Sequence, residues 1–332
     1  MSDTDEALWI SEQDIVDLIS LKEAVPALES GLRLEHEGKA QNMKKTHAVW
    51  NDKKSSLHAL GAVFDGAGLV GTKTWSHTPG GACPLLILFN SDNGKLLAVL
   101  EAFALGQMRT AAISGVATRY MSSPNANDMA IIGTGKQALA QVAGVNAVRD
   151  LKRLRVYSPT EAKRIAFAEK VRANFNFDVE VCNNVESTVK DADIVTLVTR
   201  AQESILSADM LTNGCHLNAV GAITPERKEF SQDIFTRTRL IAVDTVDSVR
   251  RLSSEFIEQY GEDDTNWESV KPLSSLVSSG TTRPADCEIS LFKAMGMGLS
   301  DLSMGSEILK RARKNGTGRA IPQPEKRPLN YN

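Results

Sequence analysis

Met129-Ala-Ile-Ile-Gly-Thr-Gly-Lys-Gln-Ala138 is the stretch on which the fold turns. A short apolar run leads straight into Gly133-x-Gly135-x-x-Ala138, and a helical pattern begins directly behind it. A strand reversing tightly into a helix favours a residue without Cβ at the first glycine. The second glycine lets the backbone approach a pyrophosphate, and the small third residue lets helix and strand lie close. The unpaired N–H groups at the helix start then attract the anion. A bare GxGxxA is common. In a strand–turn–helix setting it reads as a dinucleotide-binding turn, with Gly133, Thr134, Gly135, Lys136 and Gln137 as contacts.

Downstream, apolar strands alternate with helices: 129–132 then 136–149, 154–157 then 160–174, 179–181 then 185–190. Three further apolar runs, 194–198, 217–220 and 240–243, continue the array. Such alternation predicts a parallel sheet with right-handed crossovers. The segment 289–314 reads as helical, and the polar tail from Asn315, with three prolines, reads as loosely held.

Upstream of the linker Ser122-Ser-Pro-Asn125 the pattern differs. Ser11 with Asp14 and Ser20 with Glu23 mark two helix starts, and Gly38 marks a stop near His36. Five β-rich runs follow (46–50, 57–64, 69–75, 85–89, 96–100), with Asn93-Gly94 as a hairpin turn, and then a helix over 103–120. The prediction is an α/β protein. A Rossmann-type parallel domain at 124–302 joins an α+β domain made of 1–123 with about 303–332.

The tip of the second parallel strand bears on the cofactor. It reads Val156-Tyr-Ser158-Pro-Thr160-Glu161, then Lys163-Arg164, with no carboxylate to hold the ribose hydroxyls of NAD. Ser158-x-x-Glu161 has the spacing of a capping box with Pro159 at the first helical position. Ser158, Thr160 and Arg164 are expected cofactor contacts, and NADP(H) is favoured with NAD(H) possible.

The 332 residues suit two domains at about 150 each. With 38 Lys+Arg against 41 Asp+Glu the chain lacks the basic excess of a nucleic-acid binder. The longest apolar run, 84–89, is too short to span a membrane, and the opening MSDTDEA resembles neither a signal nor a transit peptide. Four cysteines without a CxxC spacing fit a reducing cytoplasm, and five histidines without HxxxH argue against a metal site.

Several segments together carry a resemblance: Gly71-Thr-Lys73-Thr, Met108-Arg109-Thr-Ala-Ala-Ile-Ser114, the Gly133 turn, Asn218-Ala-Val-Gly221-Ala and Ile289-Ser-Leu-Phe-Lys293-Ala-Met-Gly296 through Asp301. On these the chain resembles the ornithine cyclodeaminase/mu-crystallin family over nearly its whole length. The resemblance implies nicotinamide chemistry at the Cα–N bond of an amino or imino acid, and a homodimer formed through the N-terminal sheet domain. It implies that Arg109 holds the substrate carboxylate and that Lys73 serves the reacting nitrogen. It also points to Thr199, Val220, Gly221, Lys293 and Gly296 as cofactor contacts.

Two positions depart from the family pattern. Lys45, before Thr46, stands where many relatives carry a substrate-binding arginine, and Ile223 fills a slot that holds aspartate in cyclodeaminases and in some dehydrogenases of the family. Isoleucine can neither transfer a proton nor activate water. The expectation is therefore an imine reductase, reversible as an amino-acid dehydrogenase. The alternatives are a redox-neutral cyclodeaminase and a mu-crystallin-like binding protein. Trp50, Trp75, His77 and the Gly80-Gly81 loop are expected to shape the substrate pocket.

Overall fold

The computed structural model describes residues 6–331. Its contacts divide the chain into two compact units. One takes the chain up to Ser20, Glu37–Gly106 and the chain from Met297 onward; the other takes Leu21–His36 and Gln107–Gly296.

The first unit is built on an eight-stranded sheet. All five expected β-runs are strands, and Leu69–Thr78, Gly81–Asn90 and Leu96–Glu101 form an antiparallel meander with Ser55–Phe64. Three strands are additional: Ala7–Ile10, Ala40–Asn42 and Arg319–Ile321. The last corrects the expectation of a loose tail. Arg319–Ile321 pairs antiparallel with Ala7–Ile10, and Gln323 exchanges two hydrogen bonds with the Leu96 backbone (2.7 and 3.1 Å). The three prolines, Pro322, Pro324 and Pro328, all lie beyond this strand and so remove no donor from its pairing.

The C-terminal helix Gly298–Asn315 covers one sheet face, over the fully buried Leu86 and Leu88. Its Gly305 has no room for a side chain, since a Cβ would stand 2.5 Å from Leu86 Cδ2. On the opposite face Val70, Leu85, Ile87, Phe89 and Val99 are only half-buried.

The second unit carries eight parallel strands in the order Asp178–Val181, Arg153–Tyr157, Asp128–Ile132, Ile194–Leu197, Cys215–Ala219, Ile289–Lys293, Thr238–Val243, Val270–Pro272. From Asp128–Ile132 the chain adds strands outward on one side, then returns to add Ile194–Leu197 on the other. This reversal opens a crevice at the carboxyl ends of those two strands.

Ile289–Lys293 corrects the helical reading of 289–314. It is a strand buried at all five positions, and the helix starts only at Gly298. Hydrophobic period cannot separate a five-residue buried strand from a helical turn.

The helix Phe103–Met121 accounts for a unit boundary earlier than residue 123. A Cβ on Gly115 would stand 2.7 Å from Gly144 O, so this helix and Ala138–Asn146 touch backbone to backbone. Leu21–His36 joins the same unit through Glu29–Arg119 (2.7 Å) and Arg33 to Val277 O (3.0 Å). No helix among the described residues is long and apolar enough to cross a membrane.

His216 sits in the middle of the parallel sheet with no exposed surface. Its ring nitrogens meet Ser290 Oγ (3.0 Å) and Asn218 Oδ1 (3.2 Å), and Asn218 reaches Thr118 (3.0 Å). Burial lowers its pKa to about 3. As pH falls below the ordinary imidazole value the unfolded chain binds a proton that folded His216 refuses. Stability from this group is therefore full above about pH 6.5 and falls by up to about 1.4 kcal/mol per pH unit below it. The thermal midpoint of wild type should drop from about pH 6.5 to about 4.5 more steeply than that of His216→Gln. Equal slopes would remove His216 as the cause.

Candidate active site

Gly133 has φ +109, and a Cβ there would stand 2.6 Å from Val198 O, so the first glycine is obligatory on two counts. A Cβ on Gly135 would point into open space, over a cavity of about 1120 Å³. That cavity lies within the parallel unit, at the crevice described above. It is lined by the whole turn Gly133, Thr134, Gly135, Lys136 and Gln137, and by Ser158 and Thr160 from the second strand's tip. Thr199, Val220, Gly221, Gly296 and Arg109 line it too. A glycine cradle beside a helix start fits a dinucleotide pyrophosphate.

Two residues expected at the cofactor stand elsewhere. Lys293 is fully buried, with Nζ 3.5 Å from the Glu255 carboxylate. Arg164 is also buried: it donates to Ser158 O (3.1 Å) and Asn183 Oδ1 (3.0 Å), and its guanidinium lies 5.8 Å from the Tyr157 ring centre. It braces the Ser158 loop from inside, while Lys163 and Lys170 line the cavity.

The capping box is also corrected. The helix Glu161–Asn174 starts after an extended Thr160 with no side-chain cap, and Glu161 is exposed, 3.8 Å from Arg164. Ser158 instead links the two phosphate-side loops: it accepts from Thr134 Oγ1 (3.1 Å) and donates to Thr160 O (3.3 Å).

A buried carboxylate that sequence reading missed organises the other side of the cavity. Glu229 has no exposed surface. Its Oε1 accepts from Thr199 N (2.7 Å) and Thr199 Oγ1 (2.8 Å), and its Oε2 from Gly221 N (2.8 Å) and Ala222 N (2.9 Å). Two cavity-lining loops are thereby tied to one anion. Glu255 in turn accepts from Glu229 N (3.0 Å), with Ser253 and Lys293 on its carboxylate. In the sequence Lys228-Glu229 looks like an ordinary surface charge pair, and nothing local marks it otherwise.

Asp244 does similar work next to Arg109. It accepts from Met295 N (2.9 Å), Gly296 N (2.6 Å) and Thr245 N (2.8 Å). Burial raises its pKa, and these bonds and the Arg109 charge oppose the rise. Gly296, at φ +86, leaves room for the Arg109 guanidinium, whose Nη1 would be 3.1 Å from a Cβ there. Ile223 lines the cavity, so the slot of the missing aspartate is apolar, and Arg200 and Arg227 line it as well.

In the sheet unit Lys73 is 4% exposed, and its Nζ lies 2.6 Å from Asp301 Oδ1 and 5.4 Å from the Trp75 ring centre. Asp301 stands on the C-terminal helix one turn before Gly305, facing the sheet. Lys45 lies immediately before the strand Thr46–Trp50. Among the described residues no group of His, Cys, Asp and Glu could hold a metal ion.

Residues 6–316 match the ornithine cyclodeaminase/mu-crystallin family. The chain belongs to that family. It is 30% identical over 239 residues to a Delta(1)-pyrroline-2-carboxylate reductase of Bacillus cereus, covering 71% of this chain and 73% of that one. It is 31% identical over 218 residues to the ketimine reductase mu-crystallin of Rattus norvegicus, covering 65% and 66%. The solved Delta(1)-pyrroline-2-carboxylate reductase of Thermococcus litoralis, in complex with NADH and L-proline, has the same fold. Its TM-score is 0.87 at 24% identity, over 95% of this chain and 100% of that one.

Glu229→Gln should keep the fold and weaken dinucleotide binding. An amide puts a donor against backbone donors, and a hydrogen bond to a charged group is worth about 1.5–3 kcal/mol. Fluorescence titration with NADH and NADPH should show at least a roughly tenfold rise in Kd at an unchanged circular dichroism spectrum. Unaltered affinity would reduce Glu229 to a packing role.

Proposed function

We propose that this chain is an NAD(P)H-dependent reductase of α-imino acids, reversible as an amino-acid dehydrogenase. The observation that carries the reading is a dinucleotide cavity in which Ile223 takes the place of a carboxylate. The named activities of the Bacillus cereus and Rattus norvegicus relatives agree with it. An apolar residue there cannot activate water, which disfavours cyclodeamination. Reduction of a preformed imine asks less of the protein.

When bound at the Gly133 turn, the cofactor would supply the hydride for the imine carbon. Arg109 offers its planar fork to the substrate carboxylate, and the Met295–Gly296 backbone held by Asp244 keeps that guanidinium in place. Lys73 presents a proton at Nζ to the imine nitrogen, with Asp301 fixing the ammonium at 2.6 Å. Lys45 adds a further positive charge for the substrate carboxylate. Holding the carboxylate sets the reacting carbon, so most of the rate gain is orientation.

NADP(H) is the favoured cofactor. The second strand's tip has no carboxylate, and Ser158, Thr160, Lys163 and Lys170 line the cavity there. A homodimer through the sheet unit is supported by the half-buried Val70, Leu85, Ile87, Phe89 and Val99, an apolar face opposite the C-terminal helix. Four free thiols, three of them buried, suit a reducing cytoplasm.

With pyrroline-2-carboxylate as substrate, absorbance at 340 nm should fall, with a KM for NADPH at least about fivefold below that for NADH, since charge-assisted phosphate contacts are among the stronger ones. Ammonia release from ornithine without net cofactor change would instead mark a cyclodeaminase, and an NADH preference would overturn the phosphate reading. Arg109→Lys should fold normally and lose at least about tenfold in kcat/KM, because an ammonium cannot make two parallel bonds to a carboxylate. Wild-type kinetics in that variant would sink the role.

A further inference from the structure

The strands of the parallel unit present their carboxyl ends to the cavity in a fixed order, and the charge along that order is one-sided. Ser158 and Thr160 stand at the tip of Arg153–Tyr157, and the Gly133 turn follows the neighbouring Asp128–Ile132. Next come Thr199 and Arg200 behind Ile194–Leu197, and then Gly221, Ile223 and Arg227 behind Cys215–Ala219. A dinucleotide with its pyrophosphate on the glycine turn spans such a crevice, with its adenosine ribose at the second strand's tip. Its nicotinamide half therefore falls on the other side, toward the ends of Ile194–Leu197 and Cys215–Ala219.

The lining of that half includes Arg109, Arg200 and Arg227, and the whole cavity is lined by no aspartate or glutamate. The substrate carboxylate accounts for Arg109, which leaves Arg200 and Arg227. Their two loops are joined, since Lys228 N donates to Ala201 O at 3.1 Å. Arg227 N donates to Thr224 O (3.1 Å) and Arg227 O accepts from Ser254 Oγ (2.6 Å), so this backbone is held on both sides. Arg200 is exposed and Arg227 half-buried. The Glu258 carboxylate is taken by Lys228, and the exposed Glu226 does not line the cavity. Behind the wall, Glu229 has four donors on its carboxylate and Asp244 has three. Those buried charges are met by their own donors, whereas Arg200 and Arg227 line the cavity itself.

A nicotinamide ring is neutral when reduced and positively charged when oxidised. Fixed positive charge on the wall acts against the second form only, and a site partly shielded from water screens it incompletely. We propose that Arg200 and Arg227, with Ile223 in place of a carboxylate, make this cavity select the reduced cofactor over the oxidised one and so suit the chain to the reductive direction. The inference rests on the nicotinamide reading above and is independent of which imine is reduced. In the reaction a hydride leaves the ring for the imine carbon, a proton joins the nitrogen, and positive charge remains on the ring. Repulsion from the two arginines then favours exchange of the spent cofactor for a reduced one. The reverse reaction starts from the charged ring, and an acid at position 223 would assist it.

Calorimetric titration without any imine tests this on the intact protein, with NADP⁺ against NADPH and NAD⁺ against NADH. In each pair the oxidised form should bind at least about fivefold more weakly at low salt, and added salt should shrink the ratio. Arg200→Gln/Arg227→Gln should reduce the ratio at least about threefold by tightening the oxidised form relative to the reduced one. Ile223→Asp should move it the same way. Ile223 packs against the core, so that variant can fail to fold, but the double variant alters only an exposed and a half-buried side chain. A wild-type ratio of one overturns the proposal. So does a double variant that weakens both forms alike, which would place the arginines on the pyrophosphate. Failure to bind any of the four dinucleotides overturns the nicotinamide reading as well. Discrimination that the double variant loses, in a chain that reduces no imine, upholds the selection and removes the reductase.

Discussion

The parallel unit depends on one close approach, that of Gly133 to the carbonyl of Val198. The two residues follow neighbouring strands at the place where the sheet's order reverses, and no side chain fits between them. The approach aims the turn's N–H groups and the start of the following helix at the crevice. Ser158, Thr199 and Gly221 are brought to the same cavity because their strands are the next neighbours in the sheet.

Around that crevice the chain spends buried carboxylates on positioning. Glu229 gathers four donors from two loops, and Asp244 gathers three beside Arg109. A buried anion is costly unless its lone pairs are filled, so each of these groups holds its donors in a narrow geometry. The two buried lysines divide along the same line. Lys293 faces Glu255 inside the core of the parallel unit, whereas Lys73 faces Asp301 on a sheet face that also bears Trp75.

Much of the fold was legible in short-range pattern. The turn at Gly133, the five β-runs of 46–100 and the alternation from 129 to 243 each follow from local periodicity and turn chemistry. Readings failed where the deciding partner was distant. Ile289–Lys293 looked helical because its burial between Cys215–Ala219 and Thr238–Val243 is a property of the sheet. Arg319–Ile321 looked loose because its partner lies more than 300 residues earlier, at Ala7–Ile10. Ser158-x-x-Glu161 had the spacing of a box, but Ser158 found Thr134 instead.

The site divides in the same way. The sequence by itself determined the glycine turn at Gly133, the absence of an acid at the second strand's tip and the apolar Ile223, because each is a matter of residue type at a local position. Only the tertiary structure decided that Glu229 clamps Thr199 to Gly221, that Arg164 turns inward and that Asp301 pairs with Lys73. Those pairings join residues from 6 to 228 positions apart. Such contacts form when strand order and register bring the partners together, and no local propensity encodes them.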